Sequence, residues 1–148
     1  MKKAVVLCAL VISMIVLTSC TGAVANTNTI NGTMLELSLN ENYDDTDPFI
    51  NEKLFCVSED LDNLTAKCQL EMDGEKGILE VKNNKTNEVL WSDTWEGTVK
   101  STTFSISLDN MKKDSEYVVC FTGTGIKNAT IEVTFDSDKV QERERPAE

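Results

Sequence analysis

Leu64-Thr65-Ala66-Lys67-Cys68-Gln69-Leu70-Glu71-Met72 alternates apolar and polar side chains without a break. Successive side chains of an extended chain point to opposite faces, so a period of two describes a strand with one face in a core and one in water. A helix would need its apolar residues three and four apart. The same alternation recurs on both sides of this stretch. Leu35, Leu37 and Leu39 form one set, Leu79 and Val81 a second, Val89, Trp91 and Trp95 a third, and Phe104, Ile106 and Leu108 a fourth. Ala129, Ile131, Val133 and Phe135 close the series. Lys53–Ser58 reads as a further strand. Tyr117, Val119 and Phe121 face one way while Val118 and Cys120 face the other, the pattern of a strand central in its sheet or covered on both faces.

These segments predict an all-β domain, a single antiparallel β-sandwich of about eight strands, with a small closed β-barrel as the alternative. Polar turns punctuate it. Asn83-Asn84-Lys85-Thr86-Asn87 predicts a hairpin between the strands of Leu79 and Trp91, and Gly123-Thr124-Gly125 is a turn without the strand–loop–helix setting of a phosphate loop. A second hairpin centred on Asp62 would join Lys53–Ser58 to Leu64–Met72. It would set Cys56 opposite Cys68, close enough for a disulfide after some adjustment. Pairing through Cys120, or three reduced and buried thiols, are the other arrangements open to these residues.

The chain has 148 residues, 25 of them acidic and 14 basic, and no histidine. The length suits one domain, and the formal charge of −11 disfavours nucleic acid, whose phosphates need a basic surface. Without histidine, Ser-His-Asp and Cys-His nucleophile activation and His-containing zinc sites are excluded. A carboxylate pair remains as a route to hydrolysis. No cofactor is expected, apart from calcium at Asp44, Asp45 and Asp47, a cluster of hard oxygen ligands that lacks the spacing, glycine and terminal glutamate of an EF-hand. Trp95, beside the Glu96-Gly97 turn, is the expected ligand contact, with Trp91 in the core.

The N-terminus sets the expected location. Lys2 and Lys3 precede an apolar run, Ala4–Val16, too short for a membrane span of about twenty residues and suited to an export signal. It ends in Leu17-Thr18-Ser19-Cys20, which resembles the lipobox of bacterial lipoproteins position for position. The resemblance implies cleavage between Ser19 and Cys20 and a diacylglyceryl group on the Cys20 thiol, the mature N-terminus. A plain secretory signal cleaved near Ala23-Val24-Ala25 is the alternative. Losing residues 1–19 takes Lys2 and Lys3 with it and leaves a formal charge of −13. Residue 21 is Thr, not the Asp of inner-membrane retention, and the outer face of a Gram-positive membrane is the expected site.

The expected organisation is thus a signal peptide over 1–19, a lipidated cysteine and polar linker over 20–32, the sandwich over 33–137 and a charged disordered tail over 138–148. From Gly77 to Phe135 the order Leu79-x-Val81, Val89-x-Trp91, Tyr117 and Ala129-x-Ile131-x-Val133 resembles the immunoglobulin-like or jelly-roll modules of small bacterial surface lipoproteins. The Cys…Trp…Cys order of antibody domains is missing. The resemblance and the composition together imply a non-catalytic module, held to the membrane by its lipid, that binds an envelope or host glycan or protein. An accessory or sensory subunit of a membrane complex is the second expectation, and a carboxylate-dependent hydrolase the third.

Overall fold

The alternating segments pair into two layers. A computed structural model describes residues 32–43 and 46–145. The strands among them are β1 (Met34–Asn40), β2 (Phe49–Val57), β3 (Leu61–Asp73), β4 (Lys76–Asn83), β5 (Val89–Glu96), β6 (Val99–Met111), β7 (Glu116–Thr124), β8 (Asn128–Phe135) and β9 (Val140–Arg143). One sheet runs β1-β8-β3-β6 and the other β5-β4-β7-β2-β9, antiparallel throughout and open at the edges, so the fold is a β-sandwich and not a barrel.

The core holds the residues that alternation places on one face. Leu35, Leu37 and Leu39 of β1, Leu64 to Met72 at every second position of β3, and Ala129 to Phe135 likewise on β8 are all buried. Facing them lie Phe55 and Val57 of β2, Leu79 and Val81 of β4, and Tyr117, Val119 and Phe121 of β7. Phe55 meets Phe135 across the layers at 4.8 Å and stacks on Tyr117 of its own sheet at 5.5 Å. β7 sits between β4 and β2, which accounts for its double-faced apolar pattern. Its outer residues Val118 and Cys120 join Leu54 in a small buried cluster on the outside of the sheet.

The predicted β4–β5 hairpin is present. Asn83 Oδ1 accepts the backbone N–H groups of Lys85 and Thr86, and Asn87 adopts a φ of 59°, tolerated by a short amide side chain. Every other connection crosses between the sheets. The expected hairpin from β2 to β3 therefore does not form: β2 lies between β7 and β9, and β3 between β8 and β6. The groups that would close such a hairpin are engaged elsewhere. Ser58 N–H donates to the Lys139 carbonyl, and Val57 O accepts from Asp114 N–H. Asp60 accepts from the Lys113 backbone N–H at 2.8 Å. That bond, above all, holds the Asp60 carboxyl below its ordinary pKa. The contact thus stabilises the fold above the ordinary carboxylate pKa and is lost as pH falls through the lowered value.

Two further expectations are corrected. Cys56 and Cys68 lie in different sheets, Cys68 in the core and Cys56 on the outer face of β2, and all three described cysteines are free thiols. The tail expected to be disordered forms β9, whose Val140–Arg143 pairs with Val57–Leu54 and whose Val140 is buried. Thr33 Oγ1 donates to the Val140 carbonyl, tying this strand to the start of β1. Removing residues 139–148 should cost about 2 kcal/mol, from the burial of Val140 and the edge pairing. Urea unfolding of the truncated chain measures it, and a tail without structure would leave the midpoint unchanged.

Candidate functional site

β5 and β6 are the edges of opposite sheets and face one another along one open side of the sandwich. They are consecutive in sequence, joined by Gly97 and Thr98. Gly97 takes a φ of 71°, a conformation that costs a residue without Cβ little, and its N–H donates to the Glu75 carbonyl at 2.8 Å. Thr98 Oγ1 donates to Asp73. The turn is thereby fastened to the β3–β4 connection, and the two edges are held face to face.

In the β4–β5 register Trp91 lies opposite Val81, Asp93 opposite Leu79 and Trp95 opposite Gly77, so all three share the inner face of an edge strand. From the other sheet Phe104 reaches between the indoles. It stacks on Trp91 at 5.8 Å and 14°, and meets Trp95 at 5.3 Å and 39°. The three rings are half-buried and close the seam without being sealed inside it. Asp93, between the two indoles, is exposed. A bulge where Val81 and Lys82 pair with Trp91 and Val89 turns this end of β5, so that Val89, opposite Lys82, lies on the outer face and is 49% exposed there, away from the rings.

Aromatic faces and a carboxylate in one strip can hold a ligand by stacking, by cation–π attraction and by charge pairing. Trp95, the contact residue expected from the sequence, is partly exposed. Trp91 is less enclosed than expected, because β5 has a neighbour on one side only. Phe104 and Asp93 were missed. Alternation puts Phe104 with Ile106 and Leu108 on a core face, and nothing local announces that β6 ends its sheet opposite β5.

The other sequence candidates lie apart. Asp47 is exposed, and its carboxylate accepts from Gly125 N–H at 3.4 Å. Asp44, Asp45, Ser19 and Cys20 fall outside the described residues. A surface groove of about 480 Å³ between β2 and β9 is lined by Glu52, Lys53, Leu54 and 142–145. Four of its charges form two ion pairs, Lys53 with Glu142 and Arg145 with Glu52.

The thiols sit in contrasting settings. Burial pushes the Cys68 thiol up to about 12, and raises that of Cys120 in the outer cluster. Cys56 Sγ accepts from Arg143 Nε at 3.1 Å.

The model of a family described as a domain of unknown function (DUF4624) matches residues 19–147. No curated protein matches the chain.

Because the fold favours the neutral Cys68 thiol, its contribution to stability is complete below the ordinary value of 9.0 and declines as pH rises from there towards about 12. Cys68 should resist iodoacetamide at pH 8 in the native chain and react in denaturant, read by peptide mass. Equal reactivity in both states would contradict its placement in the core.

Proposed function

We propose that this chain, which belongs to the DUF4624 family, is a non-catalytic binding module tethered by lipid to the extracytoplasmic face of the cell membrane. Its contact surface is the seam of Trp91, Asp93, Trp95 and Phe104. The tether rests on the lipobox-like Leu17-Thr18-Ser19-Cys20 behind a short apolar run with two lysines. Diacylglycerol holds a soluble domain at a membrane surface durably, whereas one acyl chain is marginal.

The observation that carries the binding reading is the half-buried aromatic triad flanked by an exposed carboxylate on an open edge. A sandwich can close its side with aliphatic residues, and rings placed there offer more contact area at little conformational cost. Met34, Tyr43 and Ile50, the other exposed large apolar residues described, lie singly on β1, in the following loop and on β2. That scatter favours the seam over a broad apolar docking face of the kind an obligate accessory subunit presents. Glu142 and Glu52 of the β2–β9 groove are engaged by Lys53 and Arg145, an arrangement that suits an ion-paired surface better than a hydrolytic pair.

Trp95→Ala should weaken binding of the soluble domain to isolated envelope at least tenfold, by co-sedimentation, while far-ultraviolet circular dichroism stays unchanged. Binding undiminished by both Trp95→Ala and Phe104→Ala would overturn the assignment of the seam. Intact-mass analysis of the membrane-extracted protein should give a diacylglyceryl Cys20 at the N-terminus. An unmodified Cys20 would remove the tether from the proposal.

A further inference from the structure

The four edge strands of the sandwich are protected unequally. An unpaired strand edge is a template for another strand, and proteins blunt such edges with charges, bulges, proline, short length or a covering group. β9 has four residues, among them Glu142 and Arg143. β1 carries Glu36, and the Asn51 side chain donates to its Ser38 carbonyl at 2.8 Å. β5 is bulged and carries Asp93 and Glu96. β6 is different. It is thirteen residues long, its one bulge lies near its start, and its register with β3 is regular from Thr102 to Asp109. Ser101-Thr102-Thr103-Phe104-Ser105-Ile106-Ser107-Leu108 contains no charge and no proline. Among the described residues β3 is its sole strand neighbour.

We infer that the outer edge of β6 receives an extended basic segment of another protein, which adds a fifth strand to the four-stranded sheet and points lysine or arginine side chains into the Trp91–Asp93–Trp95 seam. The inference rests on the seam reading above and names its partner. A strand laid along β6 continues the inner face of Thr102, Phe104 and Ile106, so its inward side chains come alongside the indoles of β5. Main-chain bonds supply affinity in this mode, and alternate side chains supply selectivity. The selectivity here is for positive charge. Asp93 is exposed on the inner face of β5, and the inner positions of β6 from Thr102 to Leu108 carry no charge to oppose a cation there, while Glu96 and Asp109 lie on the outer faces opposite Lys76 and Asn63. A basic side chain can lay its methylene stem on an indole and its charge on Asp93. A second copy of this chain fits poorly, since each carries a formal charge of −11 and would bring its own Asp93 to the seam.

Both tryptophans of the chain lie in the seam, so fluorescence excited selectively at tryptophan reports on this site, apart from the two tyrosines elsewhere. The test titrates the soluble domain with a short peptide alternating lysine with valine and threonine. It is compared with the same peptide N-methylated at alternate residues and with one carrying glutamate for lysine. Hydrogen exchange of residues 101–108 is followed in parallel. The lysine peptide should shift the fluorescence and slow exchange along β6. N-methylation should weaken binding at least tenfold, the glutamate peptide should not bind, and Asp93→Asn should weaken the lysine peptide about tenfold.

Three results would overturn the inference. One is a fluorescence shift from a cell-wall saccharide, with none from the lysine peptide. Another is slow exchange, before any peptide is added, of those β6 amides that point away from β3, whether from a second copy or from this chain's own residues. The third is equal binding of the N-methylated peptide. Any of these leaves the seam itself to the Trp95→Ala envelope assay, which fails or succeeds separately.

Discussion

Phe55 against Phe135, 4.8 Å apart across the two layers, is the contact on which the architecture turns. Each ring comes from a different sheet, and neither sheet has a stable existence without the apolar face of the other. Burying a side chain of this size contributes on the order of 2–3 kcal/mol, and the surrounding Leu37, Leu79, Val119 and Ile131 repeat the effect along the core. Nearly every connection arches from one sheet to the other. Sheet-to-sheet packing and strand pairing therefore form together: a strand finds its hydrogen-bonding neighbours once its apolar face has found the opposite layer.

That arched connectivity has consequences at the edges. Consecutive strands end up facing each other rather than lying side by side, and β5 and β6 do so at the margin of the sandwich. A short turn pinned by Glu75 and Asp73 sets the distance between them. Phe104 then falls between Trp91 and Trp95, and the open side is closed by rings instead of aliphatic chains. The seam is thus a product of the same constraint that builds the core, carried to where each sheet runs out of neighbours. Asp93 belongs to the inner face by parity, yet β5 is an edge strand, so its carboxylate stays in water. A carboxylate at the equivalent place on a central strand would be buried at a cost of several kcal/mol.

The cysteines show how a local reading and a long-range fold diverge. The expectation that Cys56 and Cys68 oppose one another assumed that two adjacent strands with a short acidic connection make a hairpin. The connection exists, but Asp60 is bound to the β6–β7 turn and Ser58 to the approach of β9, so the chain is led across the sandwich instead. β9 itself was invisible for a related reason. Four residues with three charged or polar side chains carry no readable period, and Val140 becomes a core residue through Thr33 and β2, far away in sequence.

What the sequence determined by itself is that the segments of β1 to β8 are extended and which face of most of them is apolar, because side-chain alternation is a property of the chain's own geometry; the bulge that turns Val89 away from Trp91 lay outside it. The sequence also determined the β4–β5 turn, where Asn83 and Asn87 carry the local hydrogen bonds and the left-handed conformation, and the absence of any histidine chemistry. It placed Trp95 near the surface from the turn beside it. Only the tertiary structure decided which strands are neighbours, that β2 and β3 belong to different sheets, and that Trp91, Asp93, Trp95 and Phe104 meet. A period of two says which way a side chain points and nothing about what lies opposite. That is settled by contacts between distant segments competing for the same edges and the same core.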